Sequence, residues 1–379
     1  MTIDPYAADD AALAAAVGDE PAYRLRQVRA WLARGVDEPA AMTDLPVGLR
    51  ARLADALDPP PQVVRETRAD EGLTRKVLLR MPRTGEAIES VLMLYPRDGE
   101  RERGRATVCV STQAGCAMGC PFCATGQAGL RGQLTLGEIV RQVTVIQRRL
   151  ATGEIAEDGA PDHVTNVVFM GMGEPLANAD ATLAAVRWLA DGERGFGLSA
   201  RSITVSTIGV VPGMRRLTAL GLPVRLAVSL HAPDDALRDD LVPLNRTHPI
   251  AEVLEAAEEH QRVTGRRVTF EYVLIDGIND TTDQAARLAR LLAGRAVAHV
   301  NLIPMNATPG VSWTAPPIDR QRAFASVLTE AGLPATIRAN RGGDIDAACG
   351  QLYAEYQLQS GRTLPMAVGA AARVSGEDA

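Results

Sequence analysis

Along residues 1–60 the apolar positions recur with helical spacing. In PAYRLRQVRAWLARG (21–35), Leu25, Val28, Trp31 and Leu32 fall on one face of a helix. MTDLPVGLRARLADAL (42–57) reads as a second helical unit, and the three prolines of DPPPQVV (58–64) stop it. Over 62–112 the period changes to two. RKVLLRM and AIESVLMLYP alternate as strands, which predicts a hairpin or small sheet feeding the next domain. From 106 onward strand and helix alternate regularly. Strands are expected at 106–112, 163–171, 202–209, 224–232, 267–275 and 298–306, with a shorter one at 335–340. Between them lie helical stretches such as TLGEIVRQVTVIQRRL, ADATLAAVRWLA, IAEVLEAAEEHQRVTG and TTDQAARLARLL. The first of these opens with Thr135 and Glu138 in capping-box spacing.

Six βα units predict an α/β fold: a parallel sheet with right-handed crossovers, either an open doubly wound sheet or a partial barrel. Barrel chemistry collects in the loops at the C-terminal ends of strands. The informative motifs fall there: a cysteine loop after the first strand, GMGEP after the second, STIG at the end of the third, SLH at the end of the fourth and NLIPMN in the sixth. The chain therefore divides into a helical accessory domain (1–60), a β-rich connecting extension (61–105), a core (106–356) and a tail (357–379). The tail is low in large apolar residues and is expected to be poorly ordered.

Composition narrows the class. With 379 residues, 46% hydrophobic and 23% charged, the chain has ample material for a core. No apolar run reaches the ~18 residues of a membrane helix, and the N-terminus MTIDPYAADD is acidic rather than signal-like. The expectation is a cytoplasmic protein whose thiols stay reduced, so clustered cysteines point to metal or catalysis. The net charge of −6 argues against a surface coated in basic charge but leaves room for a local nucleic-acid patch. Lys76 is the sole lysine, and the preference for Arg elsewhere reads as genome composition.

Cys116, Cys120 and Cys123 form C-x3-C-x2-C, with Cys109 just ahead and Cys349 far downstream. Three thiolates at this spacing can hold three corners of a [4Fe–4S] cluster and leave one iron open. The competing reading is a zinc knot completed by another Cys or a His, although no nearby His completes a C-x2-C…H-x3–5-H pattern. Taken alone, GMGEP would be a strand-to-helix turn, and Cys109, Cys349 and His231 ordinary buried residues. Glu89, in AIESVLMLY, would be a solvent-facing charge on an alternating strand.

CAMGCPFC on the first βα loop with GMGEP on the second resembles the radical S-adenosylmethionine (SAM) superfamily. CVSTQAGCAMGCPFCATG, VVFMGMGEPLAN, FGLSARSITVSTIGVVPG, SLHAP, HVNLIPMN and DIDAACGQL resemble one branch of it, the RlmN/Cfr-type RNA methyl synthases. The likeness runs over residues 20–355, the N-terminal YRLRQVRAWLARG…MTDLP matching the branch's RNA-binding accessory domain. It implies a partial (βα)6 barrel. It implies that Cys116, Cys120 and Cys123 hold a [4Fe–4S] cluster, that SAM chelates the open iron, and that Gly173, Glu174, Ser206, Ser229, Leu230, His231 and Asn306 contact SAM. Two SAM molecules would be used per turnover. One methylates Cys349; the other supplies a 5′-deoxyadenosyl radical that removes hydrogen from that methyl. The carbon radical adds to adenine, Glu89 takes the ring proton, and Cys109 attacks the Cys349 sulfur to release methylated RNA as a disulfide forms. The implied partners are 23S rRNA, the tRNA adenine beside the anticodon, and an external flavodoxin-like or ferredoxin-like electron donor, with the enzyme a monomer. GMGEPL and RGGDIDAACGQL look more like the adenine-C2 group. The alternatives are C8 methylation of the antibiotic-resistance (Cfr) type and, from a different class, a zinc-stabilised RNA-binding module without catalysis. One residue departs from the branch pattern: Ala307 follows Asn306 where proline is usual.

Overall fold

The computed structural model describes residues 2–7, 9–97, 103–295, 297–338 and 341–352. The expected tail, 357–379, lies outside the described residues. In chain order the helices are α1 (Asp10–Val17), α2 (Tyr23–Ala33), α3 (Val47–Ala56), α4 (Ala124–Gln127), α5 (Leu136–Ala151), α6 (Ala179–Ala190), α7 (Val211–Thr218), α8 (Asp235–Leu241), α9 (Ile250–Thr264), α10 (Thr282–Leu292) and α11 (Ile318–Glu330). The strands are β1 (Gln62–Ala69), β2 (Thr74–Arg80), β3 (Ala87–Tyr95), β4 (Arg105–Cys109), β5 (Gln113–Gly115), β6 (Leu130–Gln133), β7 (Asn166–Phe169), β8 (Ile203–Thr207), β9 (Arg225–Ser229), β10 (Val268–Leu274), β11 (Val297–Pro304) and β12 (Ala335–Ile337). The expected capping box forms: the Thr135 hydroxyl accepts from the Glu138 amide while the Glu138 carboxylate accepts from the Thr135 amide.

One sheet carries ten strands in the order β1-β2-β3-β4-β7-β8-β9-β10-β11-β12. From β4 to β12 every pair is parallel and each new strand joins the same growing edge. A doubly wound sheet would reverse its order at a switch point. This one never does, so the helices stay on one side and the sheet curls into a partial barrel. Strands buried on both faces read as continuous apolar runs. In β7 and β8 burial instead alternates, because one face packs on helices while the other faces the cavity side, whereas β10 is buried almost throughout.

The β-rich extension is not a sheet of its own. β3 pairs antiparallel with β4, so β1–β3 continue the barrel wall. The segments flanking the N-terminal helices are tied to α5. The buried Arg141 guanidinium donates to Asp37 (2.7 Å) and to the Asp58 carbonyl (2.7 Å), and the Asp4 carboxylate accepts from the Gly137 amide (3.1 Å). The short ribbon β5–β6, which the sequence pattern does not reveal, closes the base of the cysteine loop. Gly115 permits it: at φ +78° a Cβ there would lie 1.9 Å from the Gly129 carbonyl oxygen.

Candidate active site

At the C-terminal ends of the parallel strands lies a cavity of about 180 Å³. Cys116, Cys120, Cys123 and Cys349 line it together with Gly173, Glu174, Ser206, Ser229, His231 and Asn306, so most of the expected site residues meet in one place. Leu230 does not. Its side chain is in the core; its amide donates to the Glu271 carbonyl (2.9 Å), and its own carbonyl accepts from Arg238 (3.0 Å).

Burial pushes the Cys116 thiol up to about 12 and the Cys120 thiol well above its ordinary value, and the neighbouring thiols and Glu174 add to both shifts. Three thiols that repel one another as thiolates fit a cationic group better than an empty loop. Among the described residues no three His, Cys, Asp or Glu side chains are grouped to hold a single metal ion. A four-iron cluster spreads its ligands over separate corners, and the three-cysteine set suits it.

Glu174 is buried, and desolvation raises its carboxyl to about 7. Oε1 accepts from the Leu176 amide (3.0 Å) and Oε2 from the Ile208 amide (3.0 Å), tying the GMGEP loop to the end of β8. Gly173 has a reason beyond close approach to a ligand: at φ +96° a Cβ would meet Gln113 Cβ at 2.5 Å. Gln113 in turn accepts from the Glu174 amide (2.8 Å). His231 sits at φ +64°, a left-handed conformation uncommon for a non-glycine residue. Its Nδ1 accepts from the Val273 amide (3.0 Å), which leaves Nε2 carrying the proton. Burial lowers its pKa to about 3, so the ring is neutral.

The Cys349 segment is stitched down from several sides. The Gly350 carbonyl accepts from the Ala124 amide (2.8 Å), the Leu352 carbonyl from the Thr125 hydroxyl (2.5 Å), and the Cys349 carbonyl from Asn306 (2.9 Å). Cys349 is exposed to solvent yet surrounded by protein, as a residue in an open pocket must be. That surrounding protein, and next the Glu271 carboxylate, raise its thiol pKa.

Cys109 and Glu89 do not line the cavity, but the register places them on its face. Directly opposed residues in a sheet share a face. Val91 opposes Cys109, Cys109 opposes Val168, and Val168 opposes Thr204; Ser206 lies two residues beyond Thr204, as Glu89 lies two before Val91. Cys109, buried at the end of β4, is raised to about 12 by desolvation, and its next cause is Cys349. Glu89 is fully buried, which overturns its reading as a solvent-facing charge. It pairs with Lys76 at 3.2 Å.

Three residues escaped the sequence reading. Arg238 is wholly buried on the unpredicted helix α8 and donates to the carbonyls of Ile208 (2.6 Å), Ser229 (3.2 Å) and Leu230 (3.0 Å). It clamps the ends of β8 and β9, and burial lowers its pKa to about 10. Glu271 lines the cavity from β10, with desolvation raising its carboxyl and Asn301 donating to it at 2.8 Å. Gln113 is the third. A polar residue inside an apolar strand, Glu271 in VTFEYVL, was the one signal available.

Residues 110–289 match the Radical SAM superfamily. The chain is 56% identical over 348 residues to a probable dual-specificity RNA methyltransferase RlmN of Frankia alni, covering 90% of this chain and 80% of that one. It is 50% identical over 355 residues to the protein of the same name from Thermobifida fusca, covering 93% of each. The chain belongs to the RlmN family of radical SAM RNA methyltransferases. A solved radical SAM methyltransferase from Sphaerobacter thermophilus superposes with TM-score 0.84 at 48% identity, covering 94% of this chain and all of that one. RlmN-family chemistry uses a [4Fe–4S] cluster and SAM and acts on RNA. Among the described residues no helix is long and apolar enough to cross a membrane.

Proposed function

We propose that this enzyme makes 2-methyladenosine in 23S rRNA and in tRNA beside the anticodon, with Cys349 as carrier of the methyl carbon. The observation that carries this reading is the convergence of Cys349 on the cavity lined by the C-x3-C-x2-C cysteines, with Cys109 and Glu89 on the same face of the sheet. Cys116, Cys120 and Cys123 would hold the cluster, which with one SAM would supply an organic radical, while a second SAM would supply the methyl group taken up by Cys349.

The protein's own residues do the rest. Glu174, Gly173, Ser206, Ser229, His231 and Asn306 form the SAM side of the cavity, where neutral His231 offers an Nε2–H donor. C2 of adenine lies within a base stack, so the target nucleotide must be turned out to reach Cys349. Glu89 accepts the ring proton once the new carbon–carbon bond has formed and the adduct radical has given up one electron, which the cluster that Cys116, Cys120 and Cys123 would hold could take back. Cys109, as thiolate, then attacks the Cys349 sulfur; the carbon–sulfur bond breaks with its electron pair going to the carbon, which takes a proton to become the methyl group, and the product leaves as the two sulfurs join. Reducing equivalents come from a flavodoxin-like or ferredoxin-like donor, in keeping with a cytoplasmic enzyme.

Mass spectrometry of nucleosides from digested ribosomal and transfer RNA, from cells lacking and expressing the protein, tests the proposal. 2-Methyladenosine that appears only with the protein supports it; 8-methyladenosine in its place would overturn the C2 assignment in favour of the resistance-type reaction.

A further inference from the structure

We infer that Lys76 is a positioning residue that holds the Glu89 carboxylate and ties it to the segment carrying Cys349. The inference deepens the proposed function and rests on its assignment of Glu89 as proton acceptor.

Lys76 is the sole lysine of a chain with 40 Lys and Arg residues. Where composition so favours Arg, a lysine falling by chance would sit on the surface, since lysine is almost never fully buried unless paired. This one is buried, 5% exposed, in the middle of β2. Its Nζ lies 3.2 Å from Glu89 Oε1 and donates to the Asp346 carbonyl oxygen at 3.3 Å. Asp346 holds a left-handed backbone conformation (φ +51°) three residues before Cys349. One ammonium thus joins β3, which carries Glu89, to the turn that presents Cys349.

The register agrees with the contacts. Lys76 opposes Val91, which opposes Cys109, so Lys76, Glu89 and Cys109 project from one face of adjacent strands. A compact ammonium can donate to the Asp346 carbonyl oxygen while its charge sits beside the Glu89 carboxylate, whereas a guanidinium is a wide planar fork suited to bidentate partners. That difference explains why Arg does not occupy the position. A buried carboxylate is costly without a counter-charge, and the Lys76 ammonium lies 3.2 Å from this one.

The test uses the full-length enzyme with cluster and SAM and has three readouts: methylation of Cys349 by intact mass, covalent protein–RNA adduct by denaturing gel, and released 2-methyladenosine. For Lys76→Met, methylated Cys349 is expected as in wild type, while adduct accumulates and product release slows on the order of tenfold. Lys76→Arg keeps the charge, covers the case in which the Met variant misfolds, and is expected to accumulate adduct as well. Lys76→Met with Glu89→Gln should release product no more slowly than Glu89→Gln alone, because the lysine acts through the glutamate. Multiplicative losses in the double variant, or wild-type release by both single variants, would overturn the role of Lys76. Wild-type enzyme that forms no methyl-Cys349 would instead overturn the functional reading beneath it.

Discussion

The Asn306 side-chain amide donates to the Cys349 carbonyl oxygen at 2.9 Å. A residue expected to touch SAM therefore also holds the backbone of Cys349, the proposed carrier of the methyl carbon, and both line the same cavity. Asn306→Ala removes a bond of about 1 kcal/mol net. Amide hydrogen exchange over residues 346–352 should then rise roughly fivefold by mass spectrometry. Unchanged exchange there would mean that the Ala124 and Thr125 bonds hold the segment unaided.

The two outlying thiols should fail differently. Cys349→Ala has no atom to carry the methyl carbon and is expected to give no covalent RNA adduct. Cys109→Ala can form the adduct but not discharge it, so a slow-migrating protein–RNA species should build up on denaturing gels. Equal release of free methylated RNA by both variants would refute the thiol roles.

Arg238 serves carbonyl groups from the ends of two strands and from the adjoining turn. Arg238→Met leaves these buried acceptors unpaired, at a cost of about 3 kcal/mol or more in urea unfolding. Arg238→Lys keeps a charge but lacks the fork and should recover only part of that. A Met variant as stable as wild type would show that water replaces the guanidinium.

His231 predicts a pH dependence. Burial holds its folded-state pKa near 3, below the unfolded value of about 6.5. Above the unfolded value neither state binds a proton and nothing is lost. As pH falls below it the unfolded chain binds a proton that the folded one refuses, and stability drops. At pH 5 the loss is about 2 kcal/mol. His231→Asn should flatten this slope between pH 7 and 5, since Asn accepts the left-handed backbone and does not titrate. Denaturant titrations at the two pH values measure it; a variant that keeps the wild-type slope would place the titration elsewhere.

The carboxylate of Glu271 raises the Cys349 thiol, second only to desolvation. Glu271→Gln removes that charge, so a larger thiolate fraction should alkylate faster with iodoacetamide at pH 8, read at Cys349 by peptide mass. Slower alkylation would mean that Glu271 acts on Cys349 through packing rather than charge.

The sequence by itself determined the alternation of strands and helices, the position of each parallel strand to within a few residues, and the three-cysteine loop. These are local properties: periodicity, capping residues and fixed spacing act within a few turns of chain. It also marked Cys109, Cys349 and Glu89, though through resemblance rather than spacing. Only the tertiary structure decided which distant residues meet. The inner-face parity of Glu89, Lys76 and Cys109 comes from strand register, and register is set by pairing across the sheet. The burial of Glu89, the clamp by Arg238 and the presence of Glu271 in the cavity each depend on neighbours far away in the chain. A charged side chain looks the same in a sequence whether it faces water or a buried partner. Its environment, and with it its chemistry, exists only once the sheet has closed around it.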